Sequence, residues 1–588
     1  MVSLPLFEPR LCCERRGTFD VSATPKNWSL QRWTYAKIMD VFGADLRSLA
    51  TFRIVLALLV LSDLLNRATD LTVHYTDAGV MPRVDLVQQL LNPWAFSLNL
   101  MNGGTLFQAL LFGVAALAAF GMLVGYRTRF MTFVVWVILL SIQVRNPLVN
   151  GSESPFLRML LFWSILLPLG AYWSVDRVRS ALPRPSTRFL SLATFGLFLQ
   201  IAFVYWFTAA LKSGPEWRVD HTALYYALSL DQLATPVGHY LLNFPDLLQV
   251  MTFGTFMLEA IGPILLFCPF FTGPVRTGAA LSFMSLHFGI WLTMDIGVFP
   301  WVSALCMVCF FPTWFWDRAS TLHSALLGRF ELARRLQLVA TRSADAIVAF
   351  SRVVLSSLRD VRQLLFASPP APQGDPLAEH AAVLPLAVGA TGGGETVAGA
   401  SRYEEPVEEP GPAELRSSLA TNLLAFFFVF YILCWNLTTV SSFTLPERTV
   451  PIGPFLGIDQ YWGMFAPSPS KEDGWFVIPG NLQDGRKVDL MPITRDDYGM
   501  HRVSYEKPQD IPATYKNEHW RKYLENLYSQ EQTDQRLYFG QYICRQWDGH
   551  HVGVDSLKTF RIIYVREMTL PDYQQSEPEK LDLWNHTC

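Results

Sequence analysis

"YWFTAALKSGPEWR", residues 205–218, closes a long apolar run with a lysine and then breaks the chain with Ser-Gly-Pro. Lys212 therefore stands where a hydrophobic helix stops. A lysine in that place is either an anchor snorkelling to a membrane surface or a base kept in apolar surroundings. The choice between them decides whether the protein is an enzyme.

Composition agrees with the membrane half of that reading. The 588 residues are 51% hydrophobic, 14% aromatic and only 16% charged, with a mean hydropathy of +0.23. Soluble domains are nearer one quarter charged. The net charge of −3 gives no reason to expect nucleic acid as a partner. The first residues, "MVSLPLFEPRLCCERRGTFD", hold no uninterrupted apolar core, which argues against a cleaved signal peptide. Eight cysteines in this length make no dense disulfide framework.

Apolar stretches fall near residues 50–65, 105–125, 130–144, 156–172, 189–211, 249–271, 277–293, 296–316 and 420–441. The expected fold is mainly α: a polytopic transmembrane helix bundle of about eight or nine spans, with a C-terminal extramembrane α+β or β-rich domain. The pair within 105–144 reads alternatively as one re-entrant unit. Arginines gather in "GYRTRF" (125–130), "SVDRVRSALPRPSTR" (174–188), "TGPVRTG" (272–278) and the stretch after Trp316. These alternate segments, with the N-terminus, are expected on the cytoplasmic side, and everything after 442 on the lumenal or extracellular side of a bacterial plasma membrane or endoplasmic reticulum.

The expected organisation is a cytoplasmic N-terminal segment (1–44), a transmembrane bundle (45–316), a cytoplasmic amphipathic segment (317–366), a disordered linker (367–412), a last transmembrane helix (413–445) and an outer domain (446–588). Residues 317–366 repeat apolar residues every three or four positions with arginine supplying the charge, as a helix on an anionic leaflet or a solvated helix would. The linker is rich in Pro, Gly, Ala and Glu. In the C-terminal domain, "GWFVIPGNLQDGRKVDLM" reads as strand, turn and strand, and "PATYKNEHWRKYLENLYSQEQ" as helix. "LYFGQYICRQW" and "TFRIIYVREMTL" read as strands.

No phosphate-binding loop, H-E-x-x-H or G-x-S-x-G is present. Cys306 and Cys309 form a C-x-x-C inside a predicted span and read as two small apolar residues on one face. His550-His551 reads as part of a turn, and no metal site is expected. Arg53, Asp63, Arg158, Glu259 and His287 fall within or at the rim of apolar runs. Left facing lipid, each costs at least a few kcal/mol, so they are expected to face inward and pair with one another, as structural pairs or around a polar cavity. "HYTDAGVMPR" (74–83), "RNPLVNGSESPFLR" (145–158), "LKSGPEWR" (211–218), "TMDIGVFPWVS" (293–303) and "DQYWGMFAPSPSKEDGW" (459–475) all fall on one predicted face and suggest a shared site.

"DLRSLATFRIVLALLVLSDLL" (45–65), "YTDAGVMPR" (75–83), "KSGPEW" (212–217), "HFGIWLTMDIGVFPW" (287–301) and "WGMFAPSP" (462–469) resemble, in order, the HTTM (horizontally transferred transmembrane) family, to which vitamin K-dependent gamma-glutamyl carboxylase is related. The carboxylase carries an Ala-Gly-Leu-Lys-Lys-Leu-Asp-Ala-Asp-Trp turn after a membrane helix, with its first lysine as catalytic base. "AALKSGPEW" is similar, and the matching position is Lys212. The resemblance implies a membrane enzyme whose base acts on reduced vitamin K or a menaquinol-type quinone. O2 then adds, and quinone epoxidation follows, with CO2 addition to a peptide or protein glutamate as the coupled reaction. A lysine does this near neutral pH only where apolar surroundings lower its pKa, and Glu216, four residues on, opposes that if the two pair. The carboxylase also has a Trp-Asn-Asn-His-Ser-Tyr string. The matching "VNGSESPF" (149–156) keeps Asn150 and Ser152 but has no histidine, leaving His221 and His287 as replacements. The supporting or substrate-binding candidates are Asn150, Ser152, Glu216, Trp217, His221, Glu259, His287 and Asp295. The alternative is a non-enzymatic lipid-binding, transport or scaffold protein that keeps the fold and uses Lys212 as an anchor or counter-ion.

Overall fold

The computed structural model describes residues 28–180, 185–329, 415–529, 533–571 and 574–588. The described residues up to Trp314 and from 415 onward form one compact unit, and those from Phe315 belong to a second. The helix Thr313–Arg329 covers the start of the amphipathic segment. The rest of that segment and the linker at 367–412 lie outside the described residues.

The first unit is mainly helical. Its principal helices are α1 (Leu46–Ala68), α2 (Thr105–Val124), α3 (Thr128–Arg145), α4 (Glu153–Ile165), α5 (Leu192–Leu211), α6 (Pro245–Leu266), α7 (Thr272–Thr293), α8 (Phe299–Cys306), α9 (Leu419–Val440), α10 (Glu518–Ser529) and α11 (Thr533–His550). Among the described residues six helices are long and apolar enough to cross a membrane: α1, α2, α3, α5, α6 and α9. The count rises to seven if a bent pair beginning at Phe299 forms one span. Nine apolar stretches thus give fewer full-length spans. The stretch at 156–172 becomes the 13-residue α4, and α7, though 22 residues long, is diluted by Thr, Gly, Ser, Arg276 and His287. The two halves of 105–144 are separate helices, joined where Gly125 takes φ +73 to end α2. Arg276 is no loop charge: it is buried within α7 and donates to the Val41 carbonyl.

Helix α5 is the centre of the bundle. Its N-terminus is fixed by a reciprocal capping box between Ser191 and Thr194. It packs against α4, α6 and α9, and 78% of its apolar window is buried, against 28–61% for the other five.

The C-terminal region is built on one long strand. β1 (Glu472–Val477), β2 (Pro479–Leu482), β3 (Lys487–Asp489), β4 (Leu557–Leu570) and β5 (Glu579–Thr587) form an antiparallel sheet. The 14-residue β4 pairs with β1 at Trp475↔Val565, with β2 at Gly480↔Phe560 and with β5 at Tyr564↔Leu581. Strand, turn and strand around Asp484-Gly485, the α10 helix and the "TFRIIYVREMTL" strand therefore form as the sequence suggests. "LYFGQYICRQW" does not. It lies in α11, where Phe539, Tyr542, Ile543 and Trp547 are buried at spacings of three and four. The aromatic content suggested a strand, but the helical period of the buried positions governs. α11 is also tied to the chain end by the Cys544–Cys588 disulfide.

Candidate active site at the end of α5

α5 ends at Lys212, whose N–H caps the helix on the Thr208 carbonyl. Ser213-Gly214-Pro215 then turns the chain into the short helix Pro215–Arg218, because proline has no N–H to continue α5. The lysine side chain folds back into the protein and is 3% exposed. Its Nζ donates to both Glu259 oxygens, at 2.8 and 2.6 Å, and stands 4.0 Å above the Trp217 ring. Glu259 is the one acid in the interior of α6 and is 8% exposed. Neither a surface anchor nor a lone base, Lys212 is half of a buried pair roofed by an indole.

The predicted competitor for Lys212 is elsewhere. Glu216 pairs with Lys471 at 2.8 Å and accepts from the Ser468 hydroxyl. The Gly-Pro break removes the helical i, i+4 geometry that would have brought it to Lys212. Burial pushes the Glu216 carboxyl up, but the bonds from Lys471 and Ser468 outweigh it and hold the group below its ordinary value. The "WGMFAPSP" segment clasps the turn from above. Gly214 N–H donates to the Pro467 carbonyl at 3.0 Å, Trp217 Nε1 to the Phe465 carbonyl at 2.9 Å, and Thr208 Oγ1 to the Trp462 carbonyl at 3.0 Å. Two strings some 250 residues apart in sequence thus build one wall.

The other candidates divide. His287, on α7, is buried and shares a 2.8 Å hydrogen bond between its Nε2 and the Tyr205 hydroxyl. Tyr205 lies two turns before Lys212 on α5, so this pair sits beneath the Lys212 site. His221 adopts φ +54, and its Nδ1 meets the Trp217 carbonyl at 3.0 Å; it supports the turn from behind.

Asn150 and Asp295 belong to a second cluster. Asn150 accepts from Arg67 at 3.2 Å and donates to the Gln143 carbonyl, while Ser152 precedes α4 without capping it by its side chain. Arg67 is buried and also holds Asp63, Tyr75 and Ser154. Glu518, at the start of α10, sits against Gly297 and feels Glu153 and Asp295. Burial and those two carboxylates push the Glu518 carboxyl up to about 8, against Arg521 and Lys522. Arg67, Tyr205, Glu153 and Glu518 were not singled out from sequence; Arg67, four residues after Asp63 on a helix, was the readable one.

The five rim charges are all buried but do not pair with one another. Arg53 donates to the Leu169 and Trp173 carbonyls, Asp63 holds Arg67, Arg158 holds Asp459, Glu259 holds Lys212 and His287 holds Tyr205. Each has its own partner, while Arg53 Nε, Arg158 Nε and His287 Nδ1 are buried without one. Cys306 and Cys309 are buried free thiols. His550 stacks on Tyr498 and His551 on Trp547, as the last residue of α11 and the one after it. Among the described residues Asp231, Asp473 and Glu567 bring ligand oxygens within 4.8 Å of one another, but the Lys507 ammonium already bonds Asp231 and Glu567.

The lysine turn, the α5 core and the α7–α8 rim lie within one matched stretch. Residues 43–315 match the HTTM domain. The carboxylase relation is a general association of that family. With six apolar helices, the HTTM match fits an integral membrane protein. No curated protein and no solved structure matches the chain.

Proposed function

We propose that this HTTM protein is a membrane enzyme that takes a proton from a reduced quinone at the Lys212–Glu259 pair. The observation that carries the proposal is the burial of Lys212 against Glu259 and Trp217, at the position that matches the carboxylase base. The pair has room for one more proton. With the shared proton on Lys212, Glu259 is the acceptor and the ammonium stabilises the oxyanion left on the quinol. With the proton moved to Glu259, the lysine amine is the acceptor. Exclusion of water strengthens both effects. Tyr205–His287 offers a further hydrogen-bonded pair below.

The overall reaction is oxidation of the quinol (reduced vitamin K or menaquinol type) by O2 to its epoxide, with the second oxygen atom leaving as water. Coupled removal of a glutamate proton and addition of CO2 is the fuller form of the same chemistry. The arginines of 125–130 and 174–188 support a cytoplasmic N-terminus, and the Cys544–Cys588 disulfide supports an oxidising compartment for the C-terminal region. The test is to supply membranes containing the protein with each reduced quinone, O2 and labelled bicarbonate. Epoxide supports the proposal, label in protein adds carboxylation, and neither product from folded protein refutes it.

A second reading has its own observation. Lys212 and Glu259 satisfy each other at two oxygens, which is also what a purely structural pair does. On that reading the protein binds lipid, transports or scaffolds without chemistry.

A further inference from the structure

The C-terminal sheet, α10 and the loop after residue 229 enclose a cavity of about 570 Å³. It lies beyond the Phe465–Ser468 segment that clasps the lysine turn, and Lys212 is not in its wall. Phe465, Phe476, Tyr528 and Tyr564 give it aromatic surface, and Gln232 and Asp473 give it polar groups. The size is that of an ordinary small-molecule site.

Two of its groups are left wanting. Asp473 is 1% exposed, yet it is held by neutral donors, the Asp231 N–H and Gln232 Nε2. Gln232 is 8% exposed, gives its amide N–H groups to Asp473 and the Tyr564 oxygen, and has a buried Oε1 with no partner. A buried acceptor without a donor is destabilising. The neighbouring carboxylates are already served. Lys507 bonds Asp231 and Glu567, the Tyr528 hydroxyl and Arg566 hold Glu472, and Arg521 and Lys522 hold Glu525. Burial and the adjacent Asp231 push the Asp473 carboxyl up to about 6, although the Lys507 ammonium bonds the two acids beside it.

We propose that this cavity binds a ligand carrying a primary alkylammonium group, with Asp473 and Gln232 Oε1 accepting its N–H bonds and the aromatic walls covering its methylene chain. Charge-assisted hydrogen bonds and cation–π contact are the forces that such a wall supplies. A glutamate carboxylate would meet Asp473 here, so the cavity is not the seat of the coupled glutamate reaction. The ammonium comes from a free polyamine or from a lysine side chain of a peptide, and the proposal stands whether or not Lys212 performs quinol chemistry.

The test is titration calorimetry of the full chain in neutral detergent. The probes are spermidine, an acetylated and amidated Gly-Lys-Gly peptide, the same peptide with norleucine for lysine, and hexan-1-ol. At least one amine binds the wild type, and the norleucine peptide and the alcohol do not. Spermidine alone identifies a free polyamine, and the lysyl peptide alone identifies a protein segment. Asp473→Asn weakens binding at least about tenfold. Gln232→Met weakens it severalfold and serves where the first variant fails to fold. No amine binding to the wild type, equal binding of the neutral probes, or unchanged affinity in the folded variants overturns the proposal.

Discussion

Lys212 Nζ reaches both carboxylate oxygens of Glu259, at 2.8 and 2.6 Å, across the contact between the end of α5 and the middle of α6. Each side chain is almost wholly removed from solvent, so each depends on the other for its countercharge. Removing one partner strands a buried charge, which costs about 3–5 kcal/mol, whereas replacing both with apolar residues is often neutral. Glu259→Leu alone should therefore lower the melting temperature in detergent markedly, and Lys212→Met with Glu259→Leu should restore most of the loss. A double variant as unstable as the single one would show that the pair matters for something other than mutual neutralisation.

The Glu216–Lys471 bond behaves differently, because Lys471 is largely exposed. Lys471→Ala should cost no more than about 1 kcal/mol in thermal unfolding. Gly214→Ala should cost more, since an added Cβ would fall 1.9 Å from Ser468 Oγ and 2.9 Å from the Pro467 carbonyl. Equal effects of the two substitutions would mean that the clasp over the lysine turn is loose.

Much of this site was legible in the sequence. A lysine after an apolar run, followed by Gly-Pro, identified the end of α5 and the turn beyond it. Its partner was not, because Glu216 is near in sequence while Glu259 is 47 positions away and becomes a neighbour only when α5 and α6 pack. The rim charges do not pair with one another because each meets a different partner: Arg53 backbone carbonyls, Asp63 an arginine one turn on, Arg158 a loop acid, Glu259 a lysine and His287 a tyrosine hydroxyl. α11 reads as a strand by its aromatic content, and only the spacing of its buried Phe539, Tyr542, Ile543 and Trp547 marks the helix. The Cys544–Cys588 bridge was missed because eight scattered cysteines carry no pairing information.

Glu518 gives the account a pH dependence. Its carboxyl is raised to about 8 by burial and by Glu153 and Asp295, so the folded chain holds a proton there that the unfolded chain releases near the ordinary glutamate value. Stability from this group is full at low pH and is lost as pH rises towards 8. The slope is at most about 1.4 kcal/mol per pH unit for one proton. Unfolding measured from pH 5 to 9 should show wild type losing stability across this window, with Glu518→Gln flattening that part of the curve. Parallel curves would show that Glu518 does not carry the pH dependence.

The disulfide closes α11 onto the last residue across a sequence separation of 44. Loop-closure entropy assigns such a bridge about 2–4 kcal/mol. Cys544→Ser should lower the unfolding temperature of the C-terminal region, and reductant should do the same to wild type but not to the variant. A reductant effect on both would point to another disulfide.

The central claim is that Lys212 and Glu259 together move a proton from a reduced quinone, and the most direct measurement is the initial rate of epoxide formation. Wild type, Lys212→Arg, Lys212→Ala and Glu259→Gln would be compared at matched amounts of folded protein, with reduced vitamin K and with menaquinol. Arginine keeps the positive charge but does not give up its proton at working pH. The account predicts epoxide from wild type and at least about a hundredfold lower rate in every variant. Epoxide formed by Lys212→Arg at the wild-type rate, or by none of the four proteins, would contradict it.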